Sequence, residues 1–117
     1  SKMEKLNLDN ELLKPIKERL EKTIDILTKN AILTGKEAEI TLKINIGVSK
    51  KDREFNDEIE EYLQPMYEYQ LSEKIKEEKG SYKSSVGFNY SVEIDDENNI
   101  VVKNVNEQQS LFGKVGK

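Results

Sequence analysis

Residues 38–48 read AEITLKINIGV. Ala38, Ile40, Leu42, Ile44, Ile46 and Val48 alternate with Glu39, Thr41, Lys43, Asn45 and Gly47. A period of two sustained over this length is a β-strand with one apolar and one wet face. Strict alternation also points to an antiparallel sheet, because parallel strands covered on both faces read as unbroken apolar runs. Downstream, the same period returns at Tyr67, Tyr69, Leu71 and Ile75, interrupted by Glu73, and again at Val86, Phe88, Tyr90, Val92 and Ile94. A shorter strand, Ile100–Val105, follows the turn cluster Asp95-Asp96-Glu97-Asn98-Asn99. Between the first two strands lies Ser49–Leu63, rich in acids, with Phe55, Ile59 and Leu63 spaced by four. That spacing reads as a short acidic helix or as a loop.

Upstream, Leu13, Ile16, Leu20, Ile24 and Leu27 recur at steps of three and four, which predicts a helix with a single apolar stripe. Glu18 with Lys22 and Asp25 with Lys29 add acid-first pairs four apart on its wet face. Pro15 belongs in the first turn, where its missing N–H costs nothing, and Asp9 is the expected cap. Thr34-Gly35 ends the pattern. The expected fold is therefore α+β: an N-terminal amphipathic helix packed on a four-stranded antiparallel meander over residues 1–105. A flexible C-terminal tail over residues 106–117 would follow.

Composition narrows the chemistry. The chain of 117 residues contains neither Cys nor His, which removes thiol catalysis, imidazole acid–base chemistry and the usual zinc sites. Nineteen basic against 23 acidic residues leave a net charge of −4. Arg occurs only at Arg19 and Arg53, and no basic stripe for a nucleic-acid backbone stands out. No apolar run approaches membrane-spanning length and no leader pattern opens the chain, so a cytoplasmic, non-enzymatic protein is the expectation, with no cofactor, no metal, no direct nucleic acid and no membrane partner. The oligomeric state stays open, a homodimer included.

Several side-chain groups carry two readings. The carboxylates around Asp57–Glu61 could hold a divalent cation or imitate DNA phosphates, against the plainer reading of a solvated surface. Asp95, Asp96 and Glu97 lack the glycine-centred spacing of a calcium loop and are explained by a turn. Tyr62, Tyr67, Tyr69, Tyr82 and Tyr90 could stack bases. Tyr67, Tyr69 and Tyr90 fall in apolar register, however, and read as core residues with hydroxyls at the rim. Gly87 marks a bulge or a close backbone approach.

The tail carries Gln108-Gln109-Ser110-Leu111-Phe112. Adjacent Leu111 and Phe112 cannot share one side of an extended chain, and each needs a pocket. Either they fold back over an edge of the protein's own sheet, or they are kept for a partner. The segment resembles the pentapeptide by which many bacterial replication and repair proteins dock on the DNA sliding clamp: Gln, a favoured Leu, Ser or Asp, Leu, Phe. Gln109 departs from that pattern at the second position. The resemblance implies partner-binding roles for Gln108, Ser110, Leu111 and Phe112, with the host sliding clamp as partner. A glutamine amide suits a polar subsite, and the Leu–Phe pair suits an apolar cleft.

The layout of helix, alternating strand, aromatic strand after Pro65 and terminal Gln-x-Ser-Leu-Phe is also similar to a family of small phage and prophage proteins of Gram-positive bacteria. Some of its members are labelled replication terminator protein. No activity follows from that label, since these residues supply no DNA-reading surface. The resemblance implies an accessory protein of a bacterial host's cytoplasm that engages the replication machinery. The alternative is an oligomeric anti-defence protein that sequesters a small nucleotide signal in a cationic, aromatic cleft.

Overall fold

The computed structural model describes residues 3–77 and 86–106 of the chain. Its elements are helix α1 (Lys14–Thr34), strands β1 (Ala38–Phe55) and β2 (Glu58–Ile75), and strands β3 (Tyr90–Ile94) and β4 (Ile100–Asn104). The class is α+β, as the periodicities imply.

Helix α1 is preceded by a turn built on Asn10 rather than Asp9. The Asn10 side-chain oxygen accepts from the Leu12 N–H at 3.0 Å, and its carbonyl accepts from Leu13 and Lys14 at 3.0 and 2.8 Å. These bonds satisfy donors that the first helical turn leaves unpaired. Pro15 sits in that first turn. Asp9 acts instead through charge, pairing with Lys17. At the other end Gly35 takes φ 74° and its N–H donates to the Ala31 carbonyl at 2.8 Å. This is the left-handed glycine cap that stops a helix. Thr34 closes the last turn, its hydroxyl donating to the Asn30 carbonyl at 2.7 Å and accepting from the Lys36 N–H at 3.1 Å.

Two units divide the described residues. The first takes the helix up to Lys22 and the paired strands over Glu39–Lys74; the second takes the helix from Thr23, the connection to Ala38, and the β3–β4 pair. In the first unit Ile16 is buried, and in the second Leu27 and Thr23 are, with no other buried residue among the described ones. Leu13 and Leu20 of the expected stripe are half-buried, whereas Ile24 is exposed. The covered line thus runs through residues 16, 20, 23 and 27, turned by about 100° at one position because Thr23 takes the inward place predicted for Ile24. Of the two predicted helix pairs, Asp25–Lys29 closes at 3.0 Å and Glu18–Lys22 does not.

The four-stranded meander is replaced by two separate two-stranded sheets, β1–β2 and β3–β4. The larger revision concerns Ser49–Leu63, which is neither acidic helix nor loop: it forms the end of β1, a two-residue turn and the start of β2. Asn56 and Asp57 both have positive φ, 53° and 64°. Among two-residue hairpin turns that combination defines type I′, whose twist matches that of the strands. Asn and Asp tolerate the left-handed region better than other side chains because their short polar groups bond locally.

β3 begins at Tyr90 rather than Val86, because Val86–Asn89 turns and the Tyr90 N–H donates to the Gly87 carbonyl at 3.2 Å. Gly87 therefore lies in a turn, not in a strand bulge. β3 and β4 are antiparallel with Val92 opposite Val102, and the Val105 N–H extends the ladder to the Asn89 carbonyl at 2.9 Å. The Asp95 carboxylate accepts from the N–H groups of Glu97 and Asn99 at 2.9 and 2.8 Å, and Asn98 adopts φ 67°. This is the turn predicted for that acidic cluster.

Two measurements check these devices. Asp57→Val should lower stability by about 1–2 kcal/mol through left-handed strain, while Asp57→Gly should be neutral or stabilising by up to about 1 kcal/mol, read from urea midpoints. The Asp9–Lys17 pair has a pH signature: hydrogen bonding and charge from Lys17 hold the Asp9 carboxyl below its usual range, and Asp9 holds the Lys17 ammonium above its own. Its stabilising effect is complete between the two ordinary values. It is lost as pH falls through the lowered carboxyl value, and again as pH rises through the raised ammonium value. An NMR titration should show the Asp9 midpoint returning upward to the ordinary carboxylate range in Lys17→Met.

Candidate interaction surface

The type I′ turn puts Phe55 opposite Glu58. The same offset holds at the base of the ribbon, where the Lys76 N–H donates to the Glu37 carbonyl at 2.8 Å, so the register runs without net slip. Each rung then carries an even-numbered β1 residue beside an odd-numbered β2 residue on one face, and the reverse on the other. The first face brings together Ile44 with Tyr69, Ile46 with Tyr67, and Val48 with Pro65. Leu63 and Ile59 lie further toward the tip. The second carries Thr41, Lys43, Asn45 and Gly47 of β1, and Glu68, Gln70 and Ser72 of β2.

A strand pair of this composition is expected to bury its apolar face. Instead Ile44, Ile46, Val48, Ile59, Leu63 and Tyr69, all in apolar register, are exposed, Ile46 by 74% and Ile59 by 78%. Leu42, Tyr67 and Leu71 toward the base are half-buried. Tyr69, and Tyr90 on β3, are therefore surface residues rather than core ones. Ile44, Ile46, Val48, Leu63 and Tyr69 form one contiguous stripe; Lys50 shares the rung of Leu63, the Asp52–Glu61 rung separates the stripe from Ile59 and Glu54 at the tip, and Glu73 lies at the base.

The charged tip is internally paired. On the polar face Arg53 lies directly across from Glu60, to which its Nη2 and Nε donate at 3.1 and 3.2 Å. Its guanidinium also sits 5.4 Å from the Phe55 ring centre and 5.9 Å from that of Tyr62. On the apolar face Lys50 reaches Glu61 diagonally at 3.8 Å. Glu60 and Glu61 are consecutive strand residues and point to opposite faces, which is why the acidic run does not converge. Among the described residues no group of three or more carboxylates could hold a metal ion. The cationic aromatic group required for sequestering a nucleotide is present in outline as Arg53, Phe55 and Tyr62, but the Arg53 charge is already met by Glu60.

A shallow depression on the ribbon is lined by Asn45, Ile46, Gly47, Met66 and Glu68. A second lies over Glu4, Lys5, Asn7, Asp9 and Asn10, where the Asn10 amide donates to Glu4 at 3.1 Å. Neither gathers a nucleophile with a base. The predicted partner-binding residues Gln108, Ser110, Leu111 and Phe112 lie outside the described residues, as does Tyr82. The exposed stripe is the feature that reading the sequence missed as a surface. Its residues were legible, and the signal for their arrangement was the Asn56-Asp57 pair, with Lys50 and Arg53 before it and Glu60 and Glu61 after it.

Comparisons with protein-family models, with curated proteins and with solved structures return no match. Among the described residues no helix is long and apolar enough to cross a membrane.

The Arg53–Glu60 pair is exposed, at 60% and 45% for the two side chains, so solvent screens it. A double-mutant cycle with Arg53→Ala and Glu60→Ala should return a coupling of about 0.3–1 kcal/mol, falling with added salt.

Proposed function

We propose that this chain is a non-catalytic binding protein of a bacterial cytoplasm, acting as a phage or prophage accessory factor. Its terminal segment Gln108–Phe112 docks on the host's DNA sliding clamp. The observation that carries this is the residue order Gln-x-Ser-Leu-Phe, which begins four positions after Asn104, the last residue of β4. Leu111 and Phe112 supply the anchor pair, Gln108 the amide for a polar subsite, and Ser110 the small polar residue between them. A net charge of −4 and the pairing of Arg53 with Glu60 also favour a protein partner over a nucleic-acid backbone.

Burying Leu111 and Phe112 contributes a gross amount of about 3–6 kcal/mol, from which the ordering of the segment is subtracted, so micromolar affinity is the expected scale. Titration of the full chain against a purified Gram-positive sliding clamp should show such binding. The double variant Leu111→Ala, Phe112→Ala should weaken it at least tenfold. A synthetic peptide spanning residues 106–117 should compete. Absence of binding by the intact chain, or an affinity unmoved by the double variant, would reject the assignment.

A further inference from the structure

We propose that the exposed apolar face of the β1–β2 ribbon is covered by the same face of a second copy of this chain, two ribbons stacking face to face with the tip of each over the base of the other.

Three observations on the first unit lead there. A two-stranded ribbon is marginal in water unless a third strand or another layer covers it. Here each strand has 18 residues, and Ile16 is the buried residue of that unit among the described ones. The area is sufficient: Ile44, Ile46, Val48, Leu63 and Tyr69, exposed by 40 to 74%, present on the order of 500 Å² of side-chain surface. Two copies meeting through it would remove about 1,000 Å², the area a specific interface needs to clear. Pairing like with like also makes the contact closed and two-fold, so that it ends at a dimer.

Charge selects the orientation. Asp52, Glu54 and Glu61 occupy the tip end of the apolar face. A tip-to-tip stack would set these acids against one another, whereas a tip-to-base stack carries each tip past the apolar stripe of the other copy. Centred on the rung of Asn45, the second arrangement brings Lys50 of one copy to the rung of Ile40 and Glu73 in the other, a basic group against an acidic one. Inner faces about 10 Å apart would then interdigitate Ile44 with Ile46 across the two-fold axis.

The full chain contains no cysteine, so a single introduced thiol reports on one position. Sedimentation at micromolar concentration should give twice the chain mass of 13.5 kDa. Treated with a short bis-maleimide, Ile46→Cys should form a covalent dimer and Lys43→Cys, on the opposite face, should not. Ile46→Lys should weaken self-association at least tenfold while the far-UV circular dichroism of each subunit persists. Lys50→Glu should also weaken it, and Lys50→Glu combined with Glu73→Lys should restore it. A monomer at all accessible concentrations overturns the proposal. So does equal cross-linking from positions 43 and 46, as edge-to-edge pairing would give, or a dimer indifferent to Ile46→Lys. Failure of the double reversal to restore association overturns the tip-to-base arrangement.

Discussion

The two positive φ angles at Asn56 and Asp57 are the constraint on which the rest of this structure depends. A two-residue turn leaves one choice of register, and with side chains alternating at every residue a slip of one would send half of the apolar residues to the wet face. Held in place, the turn aligns the even positions of β1 with the odd positions of β2. That alignment produces the stripe of Ile44, Ile46, Val48, Leu63 and Tyr69. It also lays Arg53 across from Glu60 and beside the Phe55 and Tyr62 rings at the tip.

Local interactions in this chain are more complete than its tertiary burial. The helix is opened by Asn10, closed by Gly35 and Thr34, and the β3–β4 turn is bonded through the Asp95 carboxylate. Against this, Ile16, Thr23 and Leu27 are the buried residues among those described. Well-made elements with sparse burial gain stability when a partner covers their apolar faces, because anything that binds the folded form preferentially draws the equilibrium toward it. A partner that covered the stripe of Ile44, Ile46, Val48, Leu63 and Tyr69 would therefore link folding to association through aliphatic and aromatic contacts.

The helix, the first strand and the Asp95–Asn99 turn were legible because each is a local pattern: a step of three and four, a step of two, and a cluster of turn formers. Residues 49–63 were not, since charged side chains have low strand propensity and their pairing lies across the turn rather than along the chain. Lys50 with Glu61 and Arg53 with Glu60 become visible only once the register is known. The inward place of Thr23 rather than Ile24 had no local signal either. On a helix the two differ by about 100°, and which one faces inward depends on what lies beside it. The tail motif was legible as a short string of residues, and the described structure adds nothing to it.

By itself, then, the sequence determined the class of the fold, the end of the helix at Gly35, the alternation of the strands, and a chemical inventory without thiol or imidazole. The structural ones depend on neighbours a few positions apart, and the inventory on composition alone. Tertiary structure alone decided that the strands form two separate pairs instead of one meander, and that Ile44, Ile46, Val48, Leu63 and Tyr69 on the apolar face of the longer pair stand exposed. Alternation records which side of a strand is apolar. Whether anything covers that side is settled by contacts between residues far apart in the chain, or between chains, and a one-dimensional pattern does not contain them.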